Sequence, residues 1–387
     1  MKNCLGKIVR GTAILTCLML FAACGSDNGT QLPEETDANV ETTPVTESAE
    51  QETVSGTENI ISENDEIKQE FVLAEIDKGF KVVGYYPSWE PDNTDKIRYD
   101  IVTHVNYAFA IPTVDGGLLP LENPETAKKI IEEAHAADRK VLLAVGGWSY
   151  QDVPLESTFV EATETAEKRT SLVQAIVDMC EEYGFDGIDM DWEHPRADGK
   201  IDVQYEAFML ELAEALHGRG KLLTSAVISG VMSNGMIYYD AAAHTDAVLE
   251  AVDWINVMAY DGGDGQAHSG YEFATSSAAY WVKYRNMPGE KVVLGVPFYG
   301  RPTWATYETL LDADAEAADK DTTIYNGFTV WYNGQDTIRS KTEFAMENLG
   351  GIMIWELSQD TTDREKSLLT VIGETIAAAQ DEVKEGN

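Results

Sequence analysis

Four carboxylates, Asp186, Asp189, Asp191 and Glu193, fall within the run DGIDMDWE, whose other residues have the apolar character of a buried strand. A buried carboxylate is costly unless it is paired or hydrogen-bonded. Side chains alternate along an extended strand, so Asp189, Asp191 and Glu193 point to one face. Such neighbours lie roughly 6–7 Å apart at Cα. At an effective dielectric of about 20, full charges at that spacing repel by roughly 2.5 kcal/mol, equivalent to about two pKa units. The row therefore resists full ionisation at neutral pH and holds a proton, as a general acid must. Glu193, last in the row, is the natural donor to a leaving group, and Asp191 is placed to orient or charge-stabilise the reacting species. The same carboxylates could instead form a cation cage, although no calcium-type loop follows to complete it, or a purely structural network. Asp186, at the start of the run, is expected to bind backbone groups there.

Other chemistries find less support. Six histidines are scattered without HExxH or paired-ligand spacing, so no metal is expected. Of four cysteines, Cys4, Cys17 and Cys24 precede any folded region, and Cys180 lies in DMCEEYG on an apparent amphipathic helix. It reads as a small core residue rather than a catalytic thiol. A net charge of −39 argues against nucleic acid or an anionic membrane surface as a partner.

The elements that must position the acidic row follow from the hydropathy pattern. Apolar runs recur from Phe80 onward: FKVVGYY, THVNYAFA, KVLLAV, FDGIDMDWE, KLLTSAVIS, DWINVMAY, KVVLGVPFY and GGIMIWEL. Amphipathic helical patterns such as PETAKKIIEEAHAADR, TSLVQAIVDMCEEYG and VQYEAFMLELAEALHG lie between them. Eight β-α units of this size predict a (β/α)8 TIM barrel, and no GxGxxG follows the first strand to suggest a dinucleotide fold. Chemistry in such a barrel sits at the carboxyl ends of the strands. Tyr85, Trp89, Tyr107, Phe109, Gly146-Gly147-Trp148, Glu193, Tyr260-Asp261, Arg301 and Trp355 all gather there. That concentration of aromatics points to a binding groove. Trp254 begins a strand and is expected in the core.

FDGIDMDWEHP resembles the DxxDxDxE signature of glycoside hydrolase family 18, the chitinases and endo-β-N-acetylglucosaminidases. The resemblance extends from VVGYYPSW to GGIMIWELSQD and includes VNYAFA, MAYD and GVPFYGR. The family's SxGG element is matched only as AVGG, with Ala144 in place of the serine, which puts a supporting hydrogen bond in doubt. The resemblance implies a retaining hydrolase in which the substrate's own 2-acetamido group is the nucleophile. By that likeness Glu193 is the acid, and Asp191 holds the acetamide N–H and stabilises the oxazolinium ion. Asp189 shares a proton with Asp191 and tunes it, and Tyr260 bonds the acetamide oxygen. Trp355 floors the reacting subsite, Tyr85, Trp148, Asp261 and Arg301 are further substrate contacts, and no cofactor is required. Trp89 and Trp304 could line additional subsites.

Some members of that family carry a small α+β domain between the seventh and eighth strands. Here FTVWYNGQDTIRSKTEF resembles the ordinary last helical unit, so that domain is expected to be missing and the groove open. The implied substrate is a β-1,4-linked N-acetylglucosamine polymer. An endo-β-N-acetylglucosaminidase acting on N-glycan cores would use the same acid row. A sugar-binding lipoprotein on the same barrel is the non-enzymatic alternative, disfavoured by the presence of Glu193.

Upstream of the barrel, a basic start with Lys2, Lys7 and Arg10 precedes a short apolar core and small residues before Cys24. This is an export signal. Ordinary cleavage would place Phe21 or Leu20 at the minus-three position, whereas LFAAC resembles the lipobox of bacterial lipoproteins, with acylation of Cys24. From Gly25 to Ile67 the chain is rich in Thr, Ser, Glu and Asp and lacks Lys and Arg, the composition of a disordered tether. The expected organisation is a signal over 1–23, a tether over 24–76 and a catalytic barrel over 77–383. The product would be an exported, membrane-anchored monomer.

Overall fold

The computed structural model describes residues 79–385, with side chains to residue 379. The expected signal, the tether and Cys24 lie outside the described residues. Strands β1 (Lys81–Pro87), β2 (His104–Ala110), β3 (Lys140–Gly147) and β4 (Gly187–Trp192) run in chain order. They are followed by β5 (Leu222–Ile228), β6 (Trp254–Met258), β7 (Val292–Pro297) and β8 (Gly351–Trp355). Neighbours pair in parallel, and β8 pairs with β1 to close the barrel. The expected TIM barrel is therefore present.

Each strand is an apolar run because each is buried on both faces, as parallel strands are. One side chain set, including Val82, Val105, Leu143, Ile188, Val257, Leu294 and Ile352, belongs to the layer shared with the helices. The alternate set, Val83, Tyr85, Ala108, Leu142, Ala144, Trp254, Val293 and Met353, fills the barrel interior. Trp254 is in the core, as expected, and Cys180 is a buried thiol that burial pushes up to about 11. Such a thiol is unreactive at neutral pH.

Helices α1 (Pro124–Ala136), α2 (Ala166–Tyr183) and α3 (Ile201–His217) match the three amphipathic patterns. Local chemistry sets their ends. Pro124 opens α1 where its missing N–H costs nothing. Thr165 caps α2 by accepting from the Lys168 N–H, and Gly184 ends it in the left-handed region.

Two connections differ from the expected alternation. The segment between β1 and β2 holds only a short 3-10 turn, Thr94–Lys96. Pro87 and Pro91, with Asp92, Asn93 and Asp95, favour turns over a helix there. Between β7 and β8, Phe328–Trp331 is not the beginning of the last helical unit. It pairs with Thr322–Tyr325 in an antiparallel hairpin, and helix α4 starts only at Gln335 and runs to Asn348. Asn326 and Gly327 both take positive φ, the requirement of a tight hairpin turn, and the flanking aromatic and β-branched residues suit strands. The same connection holds a short hairpin, Tyr299–Gly300 with Ala305–Thr306, and a helix over Tyr307–Ala313. Among the described residues, no helix is long and apolar enough to cross a membrane.

Candidate active site

Strand β4 carries the acidic row from one end of the barrel to the other. Asp186 precedes it at the amino end, where its carboxylate accepts from the Val141 N–H at 2.8 Å, from Lys140 Nζ at 3.1 Å and lies 2.8 Å from His135 Nε2. Burial alone would raise its pKa, but these partners hold it below the usual carboxylate value. It therefore fastens β3 to β4, as its place at the run's start suggests.

Asp189 points into the barrel and is fully buried. Tyr85 donates its hydroxyl to Oδ2 at 2.5 Å, and Thr224 Oγ1 and Asn256 Nδ2 donate to Oδ1 at 2.5 and 2.9 Å. Burial raises the Asp189 pKa, and these donors act against that shift. Asp191 is 3% exposed and its Oδ1 has no protein partner. Burial first, then the charges of Glu193 and Asp189, hold it well above the ordinary value, so it keeps a proton readily. Glu193 lies just past the strand end with 17% of its side chain exposed. Burial, then the charge of Asp261, pushes it up to about 7.

The end of β3 lets this row approach its neighbour. Gly146 has φ 119°, and a Cβ there would lie 2.1 Å from the Asp191 carbonyl oxygen. A Cβ on Gly147 would strike the Phe109 ring at 2.8 Å. Close approach thus sets both glycines, Gly146 against backbone and Gly147 against the Phe109 ring, and both take positive φ. The Ala108–Phe109, Glu193–His194 and Trp355–Glu356 peptides, at the ends of β2, β4 and β8, are cis.

Aromatic rings build the floor of the mouth. Trp355 stacks on Phe109 at 5.7 Å between centroids, and the Tyr85 ring meets it edge-on at 5.5 Å. Tyr260, past the end of β6, rests its hydroxyl 3.9 Å from Met353 Sδ, a weak acceptor. Burial, then the charges of Asp191 and Glu193, raises its pKa well above the usual value, so it remains a phenol able to donate. Trp89, Trp148 and Trp304 are each at least half exposed.

Several of the expected contacts have protein partners of their own. Tyr85 was expected to face substrate, but it is 1% exposed and its hydroxyl is engaged by Asp189, so it supports the row from below. Asp261 and Arg301 bind each other at 3.2 Å, and Tyr299 donates to Asp261 at 2.6 Å. Arg301 also reaches Asp264 at 3.1 Å and lies over the Trp304 ring at 4.1 Å. Trp304 in turn stacks on Tyr299 at 5.3 Å. Burial would raise the Asp261 pKa, but His268, Tyr299 and Arg301 hold it low, so it stays anionic and its charge keeps the Glu193 proton on.

Sequence reasoning named neither Thr224 nor Asn256, both hidden inside ordinary strands, and left Phe109 among the strand-end aromatics. It also missed His194, directly after the acid, which lies 3.7 Å from Glu193 Oε2. Burial pushes this imidazole down to about 4, so it is neutral near pH 7. Among the described residues, no group of three or more His, Cys, Asp or Glu could hold a metal ion.

An acidic row inside a barrel, a carboxyl of raised pKa at its mouth and an aromatic floor together describe a site for acid-assisted chemistry on an apolar ring face. The sequence profile of glycosyl hydrolases family 18 matches residues 81–360. The chain belongs to that family. Family 18 relatives include a chitinase-like effector of Moniliophthora roreri, 34% identical over 243 residues that cover 56% of this chain and 57% of that protein. Chitinase A1 of Niallia circulans is 26% identical over 74% of this chain and 57% of its own length. The chain thus spans little more than half the length of such curated relatives. Among solved structures, the family 18 chitinase ChiB of Flavobacterium johnsoniae superposes with a TM-score of 0.66 at 29% identity, covering 78% of this chain and 95% of the other. A chitinase of Bacteroides thetaiotaomicron gives 0.67 at 28% identity, covering 77% and 96%.

Proposed function

We propose that the chain is a retaining glycoside hydrolase that cleaves β-1,4-linked N-acetylglucosamine polymers with the substrate's acetamide as nucleophile. The observation that carries this reading is the row on one strand, with Asp189 and Asp191 buried and Glu193 partly exposed just past the strand end. A sugar ring laid on Trp355 would cover roughly 60–80 Å² of C–H surface, about 1.5–2 kcal/mol of stabilisation. In the first step the Glu193 proton passes to the glycosidic oxygen and the bond from that oxygen to the anomeric carbon breaks. The acetamide carbonyl oxygen bonds to the same carbon, giving an oxazolinium ion. Asp191, its proton shared with Asp189, accepts a hydrogen bond from the acetamide N–H and offsets the positive charge, while the Tyr260 hydroxyl orients the carbonyl. Water then attacks the anomeric carbon, its proton returns to Glu193, and configuration is retained.

The names of the relatives support chitin or chitooligosaccharides as the substrate. The export signal and LFAAC support a lipid-anchored, extracytoplasmic location. The test is a product profile from the purified protein. N-acetylated chitooligosaccharides should be cut with retention of anomeric configuration, and a thiazoline mimic of the cyclic intermediate should inhibit tightly. Efficient cleavage of fully deacetylated chitosan, which has no acetamide, would rule out the mechanism. Release of glycan from a high-mannose glycoprotein in preference to chitin would replace the substrate assignment.

A further inference from the structure

Ala144, Asp189 and Thr224 stand at one level of the barrel, because β3 pairs Ala144 with Asp189 and β5 pairs Thr224 with the same residue. The carboxylate is therefore flanked by the two neighbouring strands. On the β3 side it meets a methyl group, fully buried and unable to donate. On the β5 side it meets a hydroxyl, also fully buried, which donates to Oδ1 at 2.5 Å.

The remaining donors are fixed by their own partners. Trp254 Nε1 can only donate, and it reaches Asn256 Oδ1 at 3.2 Å. This orients the amide so that Nδ2 faces Asp189, at 2.9 Å. Asn256 and Thr224 thus share Oδ1, while Tyr85 serves Oδ2 alone. Among the described residues, Thr224 is the one donor to Asp189 from the two strands beside β4.

We infer that Thr224 is a positioning residue for the acidic row, supplying from β5 the donor that Ala144 leaves missing on β3. This rests on the reading of the row as the catalytic acid system. A donor to a buried carboxylate stabilises its charged form, and the low dielectric of the barrel interior strengthens that effect. With Thr224 in place, Asp189 stays an oriented acceptor and the row's proton is left to Asp191 and Glu193. Without it, Asp189 loses one of two bonds on Oδ1 and competes for that proton.

The test measures kcat, KM, the pH profile and the melting temperature on an N-acetylated chitooligosaccharide. The proteins are the parent chain, Thr224→Val, Thr224→Ser, and Thr224→Val combined with Ala144→Ser. Thr224→Val should lose kcat by about ten- to a hundredfold with KM changed less than about threefold. The acid limb of its pH profile should move to higher pH, because an Asp189 short of a donor binds protons more readily. Thr224→Ser should stay near the parent. Ala144→Ser in the Val background should restore most of the loss, since a hydroxyl on the opposite flank at the same level replaces the donor. Should Thr224→Val not fold, Thr224→Ala with and without Ala144→Ser gives the same comparison. A Thr224→Val protein with parental kcat and pH profile would overturn the inference, as would a loss that Ala144→Ser leaves untouched in a protein melting like the parent. A parent chain inactive on every N-acetylglucosamine oligomer would instead overturn the functional reading.

Discussion

At the scale of single residues, the site works by giving like groups unlike surroundings. Asp186, Asp189, Asp191 and Glu193 sit on one short stretch, yet one is ion-paired at the barrel's amino end and one is surrounded by donors. The third has an unpartnered oxygen, and the fourth reaches the mouth. Asp261 completes the set from the end of β6, two strands along the wall, since its charge adds to burial in raising Glu193. The consequence for pH has a definite sign. On the proposed mechanism Glu193 must carry its proton for the first step, so kcat/KM should fall as the pH rises through about 7. Replacing Asp261 by Asn removes the second cause, and the descending limb should then move to lower pH. Glu193→Gln keeps shape but cannot donate, and general acid–base catalysis contributes about 10²–10⁴-fold. Turnover should fall at least that far while oligomer affinity by calorimetry persists, because the Trp355 floor is untouched. Near-parental turnover in Glu193→Gln would remove it from the role of acid.

At the scale of elements, what was legible in the sequence was whatever depends on periodicity. All eight strands lie where the apolar runs place them, and α1, α2 and α3 coincide with their patterns, because burial on a fixed face writes itself into the order of residues. The hairpin at 322–331 was not read, although Asn326-Gly327 is a local turn signal, since the adjoining helical pattern drew the strand residues into it. Within the site, the acidic row was legible because carboxylates are out of place in a strand. Thr224 and Asn256 were not, because β-branched and small polar residues are ordinary there, and only register across β4, β5 and β6 gives them a role. The depth of Tyr85 was not legible for the same reason: its place at a strand end does not say how far inside the ring lies. Register also sets a sharp steric demand at the end of β3. Gly146→Ala would force a Cβ to within 2.1 Å of the Asp191 carbonyl oxygen at φ 119°. Backbone strain of that kind costs about 1–3 kcal/mol before the clash itself is counted. The variant should unfold at lower urea concentration than the parent, by more than about 2 kcal/mol, and lose turnover more than affinity because the Asp191 peptide is displaced. Parental stability in a urea melt would show that β3 and β4 approach less closely than the structure has them.

At the scale of the whole molecule, the barrel and the segment before it obey opposite rules. The barrel sets its carboxylates against partners one by one, whereas residues 25–67 carry acid without any Lys or Arg. The proposed anchoring rests on Cys24. The apolar core before it is preceded by Lys2, Lys7 and Arg10, and the small residues Ala22 and Ala23 precede the cysteine directly. Neither ordinary cleavage register puts a small residue at minus three, since Phe21 or Leu20 would stand there. A single acyl chain anchors only marginally, so stable attachment requires more than one chain on the processed cysteine. In a bacterial host, the parent chain should partition into the membrane fraction and take up labelled fatty acid. Cys24→Ala should lose the label and either accumulate unprocessed or appear in the soluble extracytoplasmic fraction. Its barrel should turn over soluble chitooligosaccharides at the parental rate, because Cys24 lies far along the chain from β1. A Cys24→Ala protein that is processed, labelled and retained like the parent would leave the export signal standing and remove the lipid anchor.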